Sequence, residues 1–245
     1  MDAVTLALGM LVTFLAAALT VPAGFGLATM LTPIMLLWLD PHLAIAAVAV
    51  VHAAHNGWKL VLLKNEVDVS AVKRYGWAMI LGAIIGAALS TSIDAKPLLI
   101  VVGAALIVLP ILSISERWTA FRLPEAEDRW GGFGSGFMGG LTGHQGALRA
   151  MFLQRRLSNK TAYAATAAIL ALVVDLTRLP IYLLSEGNEL MEYLPLVMGS
   201  VGSAILGVHL GKRWLYKWKK SHIGTMITIG IVVSGCMYVV EGFKM

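Results

Sequence analysis

Apolar residues run along this chain in blocks of bilayer length, broken by short polar or glycine-rich stretches. Since a spanning helix takes about 20 residues, the blocks predict helices at roughly 4–21, 26–39, 42–63, 75–93 and 97–114, and a second set at roughly 131–142, 146–155, 161–184, 192–215 and 222–241. The blocks beside the glycine-rich breaks, above all those flanking His144, are short, as half-helices or a hairpin turning near the midplane would be. One polar linker, 115–129, separates the two sets, and its Pro124, Glu125, Glu127 and Asp128 read as a solvated connection. The expected architecture is an all-α, polytopic transmembrane protein with a first repeat at 1–114, the linker at 115–129 and a second repeat at 130–245.

Composition supports this reading. Of 245 residues, 58% are hydrophobic and 13% charged, about half the charged share of an ordinary soluble domain. The opening Met-Asp-Ala-Val-Thr lacks a basic leader and a small-residue cleavage site, so the first apolar block is expected to persist as a helix. A single cysteine, Cys236, excludes an internal disulfide or a cysteine-based metal site and reads as a small buried hydrophobe. The formal charge of +5 does not point to nucleic acid, because the basic residues sit at the ends of apolar blocks, where lipid topology puts them.

Orientation follows from those basic residues. With the amino terminus outside, the inner loops hold Lys64, Lys73 and Arg74, then Arg117, Arg122 and Arg129, then Arg155, Arg156 and Lys160, and finally Lys212, Arg213, Lys217, Lys219 and Lys220. The outer side keeps Lys96 and Lys244, and the loop with Glu186, Glu189 and Glu192 is acidic. Cytoplasmic loops are enriched in Lys and Arg, so both termini are expected on the periplasmic face of a bacterial inner membrane. Trp77, Trp130, Trp214 and Trp218 fall near the inner ends of helices, as interfacial aromatics do.

A shift of 119 residues lays Phe14 on Phe133, Gly24 on Gly143, Ala46 on Ala165 and Leu60 on Leu179. It also lays Asn56 and Lys59 on Asp175 and Arg178, so each half carries a glycine-rich break and then a polar residue with a cation three positions later. Five blocks per half is an odd number, which turns the second half upside down relative to the first. Inverted repeats with interrupted helices at corresponding places point to a secondary transporter whose site lies at the repeat interface near the midplane.

Three cations are expected at membrane depth, Lys59, Arg149 and Arg178, against one acid, Asp175. Such charges are costly and face a cavity or a partner. Asp175 and Arg178, three apart on one helix, are placed to pair, which leaves Lys59 and Arg149 for a negative substrate. Residues 146–149 open a helix whose first N–H groups and positive dipole end suit an anion. Gly143 and Gly146 let backbone approach it, Thr142, His144 and Gln145 offer hydrogen bonds, and Gly24 and Gly26, followed by Thr29 and Thr32, supply the opposite wall. Asn56 joins this set, with Asp175 orienting Arg178 or taking up a coupling proton.

His52 and His55 share a helix face with Lys59, as proton relays or structural hydrogen-bonding groups; a cation one turn away argues against a metal, and no cofactor or metal is expected. His209, between Gly207 and Gly211, reads as packing, and His42 and His222 lie at helix ends. Gly82, Gly86 and Ser90, and Gly199, Gly202, Ser203, Gly207 and Gly211, form small-residue faces for packing within a repeat or between two copies in a homodimer. A membrane metalloenzyme using His52, His55 and His144, or a subunit that transports nothing, is the alternative to a transporter.

At these residues the chain resembles the TauE/SafE sulfite exporter family over nearly its whole length. The resemblance rests on two related halves that each open with a glycine-rich stretch, with Pro33 nine residues after Gly24, Gly-His-Gln-Gly-Ala-Leu-Arg at 143–149 and Asp-Leu-x-Arg at 175–178. The family's runs of three glycines are reduced here to Gly24-Phe25-Gly26 and Gly143-His144-Gln145-Gly146, and Phe152 stands where the second half often has proline. The resemblance implies export or uptake of a small sulfur-containing anion, such as sulfite or an organosulfonate, across the inner membrane.

Overall fold

The computed structural model describes residues 1–23, 26–118, 128–217 and 220–244. Over these the chain is helical, without strands: α1 (Ala3–Ala23), α2 (Leu27–Met35), α3 (Pro41–Leu63), α4 (Val69–Ser90), α5 (Ala95–Trp118), α6 (Asp128–Thr142), α7 (Gln145–Arg156), α8 (Lys160–Glu192), α9 (Leu194–Lys217) and α10 (Lys220–Lys244), with a 3-10 turn at Lys64–Glu66. Five of them, α1, α3 with its 3-10 turn, α4, α8 and α9, are long and apolar enough to cross a membrane. The first four residues of the expected linker are the end of α5, and residues 119–127 lie outside the described residues.

Local chemistry sets the boundaries. Asp68 caps α4 by accepting from Ala71 N–H at 2.8 Å, and Asn159 caps α8 by accepting from Thr161 N–H at 2.9 Å. Pro41 opens α3, where its missing N–H costs nothing. The two breaks coincide with positive φ, +108° at Gly26 and +86° at Gly143, a region that glycine enters without a Cβ penalty. There the helix stops and restarts as the short α2 and α7.

Two ends of the bundle are chemically distinct. At one, Lys212 Nζ donates to Leu62 O at 3.2 Å, Lys160 Nζ to Leu215 O at 3.1 Å, and Asp68 N–H to Thr166 Oγ1 at 2.9 Å, so α3 and α9 end where α4 and α8 begin. This end carries Lys64, Lys73, Arg74 and Arg213. At the other, Leu39 and Leu43 pack with Leu190 and Leu196, close to Glu189 and Glu192 in sequence. α3 and α9 therefore run opposite to α4 and α8.

Three helix pairs approach backbone to backbone. A Cβ on Gly82 would lie 2.2 Å from Phe133 O, on Gly86 2.2 Å from Phe137 O, on Gly136 2.1 Å from Met79 O and on Gly140 2.2 Å from Ala83 O, so α4 and α6 interlock through glycines four apart. α9 seats on α1 likewise, Gly207 against Phe14 O (2.5 Å) and Gly211 against Ala18 O (2.4 Å), and α5 meets α10 at Gly103 and Gly235. One expectation needs correcting: Cys236 is exposed, because it lies on the side of α10 turned away from the bundle. Gly202 is likewise exposed with nothing within 4 Å, so it takes no part in packing within the chain.

A Gly136→Ala change forces a methyl group into a backbone carbonyl with no flexible side chain to yield, at a cost of about 1–3 kcal/mol or more. In a detergent thermal melt it is expected to lower Tm clearly, while Gly202→Ala is neutral or slightly stabilising; equal melts would refute the backbone contact.

Candidate functional site

Antiparallel α3 and α8 carry the polar centre. Asp175 on α8 is fully buried and accepts from two sides: His52 Nδ1 lies 2.7 Å from Oδ2, while Arg178 donates from Nε at 3.1 Å and Nη2 at 2.8 Å to Oδ1. The expected i,i+3 pair is present, and His52 of α3 completes it. Asn56, one turn along α3, donates to His52 O at 2.9 Å and holds its amide 3.2 Å from the His52 ring nitrogens. Arg178 also lies over the Tyr182 ring at 5.6 Å, and the Tyr182 hydroxyl donates to Gly140 O.

From this bond the two cations Lys59 and Arg178 diverge. Lys59 is seven residues from His52 toward the basic end, about 10 Å of helix, whereas Arg178 is three residues from Asp175 toward the acidic end, about 4.5 Å. The sequence-predicted residues accordingly separate into two groups.

The first surrounds a cavity of about 10 Å³, close to the volume for one water, lined by Thr20, Gly26, Leu27, His52, His55, Asn56, Lys59 and Arg149. α7 brings in Arg149, whose Nη1 donates to Gln145 Oε1 at 3.1 Å one turn back. Gln145 also donates from Nε2 to Ala171 O at 3.5 Å, so it holds Arg149 in place and is not the free ligand donor expected of it. Among the described residues no hydrogen bond reaches the Lys59 ammonium, although the residue is 1% exposed. The Gly26 end of α2 has no side-chain cap, so its first N–H groups face the same region.

The second group sits at the α6–α7 break on the far side of Asp175: Gly143, His144, Gly146 and Arg178. A Cβ at Gly143 would lie 2.9 Å from Arg178 Nη1, so glycine is required there twice over, for its φ and for room. His144 Nδ1 is 2.9 Å from Thr142 Oγ1, and its ring meets Tyr238 edge-on at 5.4 Å. Gly24 lies outside the described residues.

The described buried residues thus include three cations and one carboxylate. Asp175 is within electrostatic reach of Lys59, Arg149 and Arg178, so the set is one field and not three isolated charges. Among the described residues no three His, Cys, Asp or Glu side chains gather as metal ligands; His144 stands with Tyr238, away from His52 and His55. His209 does not pack between glycines: it is exposed and accepts from Trp58 Nε1 at 2.9 Å. Thr20, Tyr182 and Tyr238 escape sequence reading, since each is a single polar group in an apolar block.

Breaking a buried pair strands its partner. Asp175→Asn is expected to lower stability by about 3–5 kcal/mol, and adding Arg178→Met should recover part of the loss in the same detergent melt. A neutral Asp175→Asn would show that the carboxylate balances nothing.

No curated protein matches the chain. No solved structure matches it either. The model of the sulfite exporter TauE/SafE family matches residues 9–238, nearly the whole length. With interrupted helices, glycine-lined packing and a cationic centre between them, the chain belongs to the TauE/SafE family of membrane transporters.

Proposed function

We propose that this protein moves a small sulfur-containing oxyanion, sulfite first among the candidates, across the bacterial inner membrane by alternating access, with both termini on the periplasmic face. The observation that carries the reading is that the described buried residues hold three cations and one carboxylate. Burying like charges together is expensive, and a transient anion would offset that cost while it is bound.

Lys59 is the primary counter-charge, because it lines the cavity and no hydrogen bond reaches its ammonium among the described residues. Arg149 supplies a second, orienting charge, and the uncapped start of α2 adds N–H donors at its positive dipole end. The His52–Asp175–Arg178 chain ties α3 to α8 across the two repeats, so its rearrangement would open the cavity to one side or the other, with Asp175, His52 and His55 as candidate proton acceptors for coupling. A cavity of about 10 Å³ is too small for a four-atom anion, which fits a contracted conformation that must open to load.

The helix pairing supports inverted repeats. The 119-residue shift carries α1 onto α6 and α4 onto α9, so it exchanges the α1–α9 and α4–α6 pairs, each glycine-lined, and it carries the α5–α10 pair onto itself. Two related halves that pack in this reciprocal way are the machinery of rocking transport.

In liposomes holding purified protein, sulfite flux is expected above that of empty vesicles, and Lys59→Met and Arg149→Met should each reduce it about 10- to 100-fold, the loss of a charged hydrogen bond. Flux of sulfate, sulfoacetate, taurine or a carboxylate in place of sulfite would change the substrate. No flux of any of these would refute transport of this class.

A further inference from the structure

The α6–α7 break holds donors that the cavity does not use. Arg178 spends Nε and Nη2 on Asp175, and its Nη1 is buried without a hydrogen bond, beside Gly143. His144 Nε2 is likewise buried and unbonded, its Nδ1 being held by Thr142. Across the His144 ring stands Tyr238 of α10, fully buried, its hydroxyl near the Thr32 side chain but without a well-formed hydrogen bond. α7 starts at His144 without a side-chain cap. Orphaned buried polar atoms are uncommon, and each costs about 1–3 kcal/mol. Three on neighbouring side chains, at the uncapped start of one helix, describe a place for something else.

We propose that these groups form a second anion station, with Tyr238 as a ligand-binding residue, reached after or before the Lys59–Arg149 cavity on the transport path. The proposal rests on the transport reading above and adds a step to it. The ligand is a small oxyanion: Arg178 Nη1 supplies charge and a donor, Tyr238 a hydroxyl hydrogen and the first turn of α7 its N–H groups, while His144 adds its Nε2–H once the Thr142 hydroxyl turns from Met138 O to donate to His144 Nδ1.

Position along the membrane normal gives the station its purpose. The cavity lies on the basic-end side of the His52–Asp175 bond, toward Lys59, and the station lies on the opposite side, toward Arg178. An anion passing from one to the other crosses the Asp175 carboxylate, so the His52–Asp175–Arg178 chain acts as the barrier between two sites. All the station's donors are buried, and α10 must part from the α6–α7 break to admit a ligand.

The discriminating variant is Tyr238→Phe. It keeps the ring against His144 and removes a hydroxyl whose neighbour, Thr32, forms no well-made hydrogen bond with it, so Tm without ligand should change little. Calorimetric titration of purified protein with sodium sulfite is expected to show two classes of site. Lys59→Met should lose one and keep the other, while Tyr238→Phe weakens the remaining class, and slows sulfite flux in liposomes, by about tenfold, the effect of one hydrogen bond to a charged ligand. His144→Gln should weaken the same class as Tyr238→Phe. Wild-type binding and flux in Tyr238→Phe, or one class of site that Lys59→Met abolishes entirely, would overturn the second station and leave transport standing. Wild-type protein that neither binds nor moves sulfite, sulfate or sulfoacetate would overturn both.

Discussion

The Asp175 carboxylate, buried between His52 and Arg178, is the interaction on which the arrangement depends. A lone carboxylate would not survive at this depth, nor would a lone guanidinium. Together they form a cross-link between α3 and α8, and so between the two halves of the chain. Because Asp175 also lies within electrostatic reach of Lys59 and Arg149, it offsets part of a field that the protein otherwise leaves positive. The site is held together and held short of neutrality by the same group.

Around that centre the packing is unusually close where helices must not drift. Glycines on α4, α6 and α9 bring backbones to within a distance that no Cβ tolerates, and without a hydrophobic force between helices in lipid such contact is what holds them. The breaks at Gly26 and Gly143 work differently. They expose N–H groups inside the bundle, where irregular backbone is tolerated because protein surrounds it. Rigid pairs beside two interrupted helices are the elements on which the proposed transport cycle is built.

Much of this was readable from residues. The ten blocks anticipate the ten helices, although α4 starts six residues before its block and α8 runs eight past its own, through the 186–192 stretch expected as a loop; the glycine-rich runs mark both breaks, and the Asp175–Arg178 spacing announces the ion pair. Other features were hidden. Gln145 looked like a ligand donor and instead holds Arg149. Tyr238 looked like part of a plain span, and its place beside His144 depends on where α10 docks, about which residues 222–241 say nothing. Cys236 was expected to be buried and is exposed, and the partner of His209 is Trp58 of α3, which its place between Gly207 and Gly211 did not announce.

The chain by itself determined how many helices there are, where they break, which loops are basic and which charges are buried, because each of these follows from local hydropathy, glycine and charge. Tertiary structure alone decided which face of each helix turns inward. In water an amphipathic stripe reveals that face, but lipid is as apolar as the core, so a spanning helix carries little such record. Hence the division of the cations into two groups about Asp175, and the arrival of Tyr238 at the second, came only from helices settling against one another.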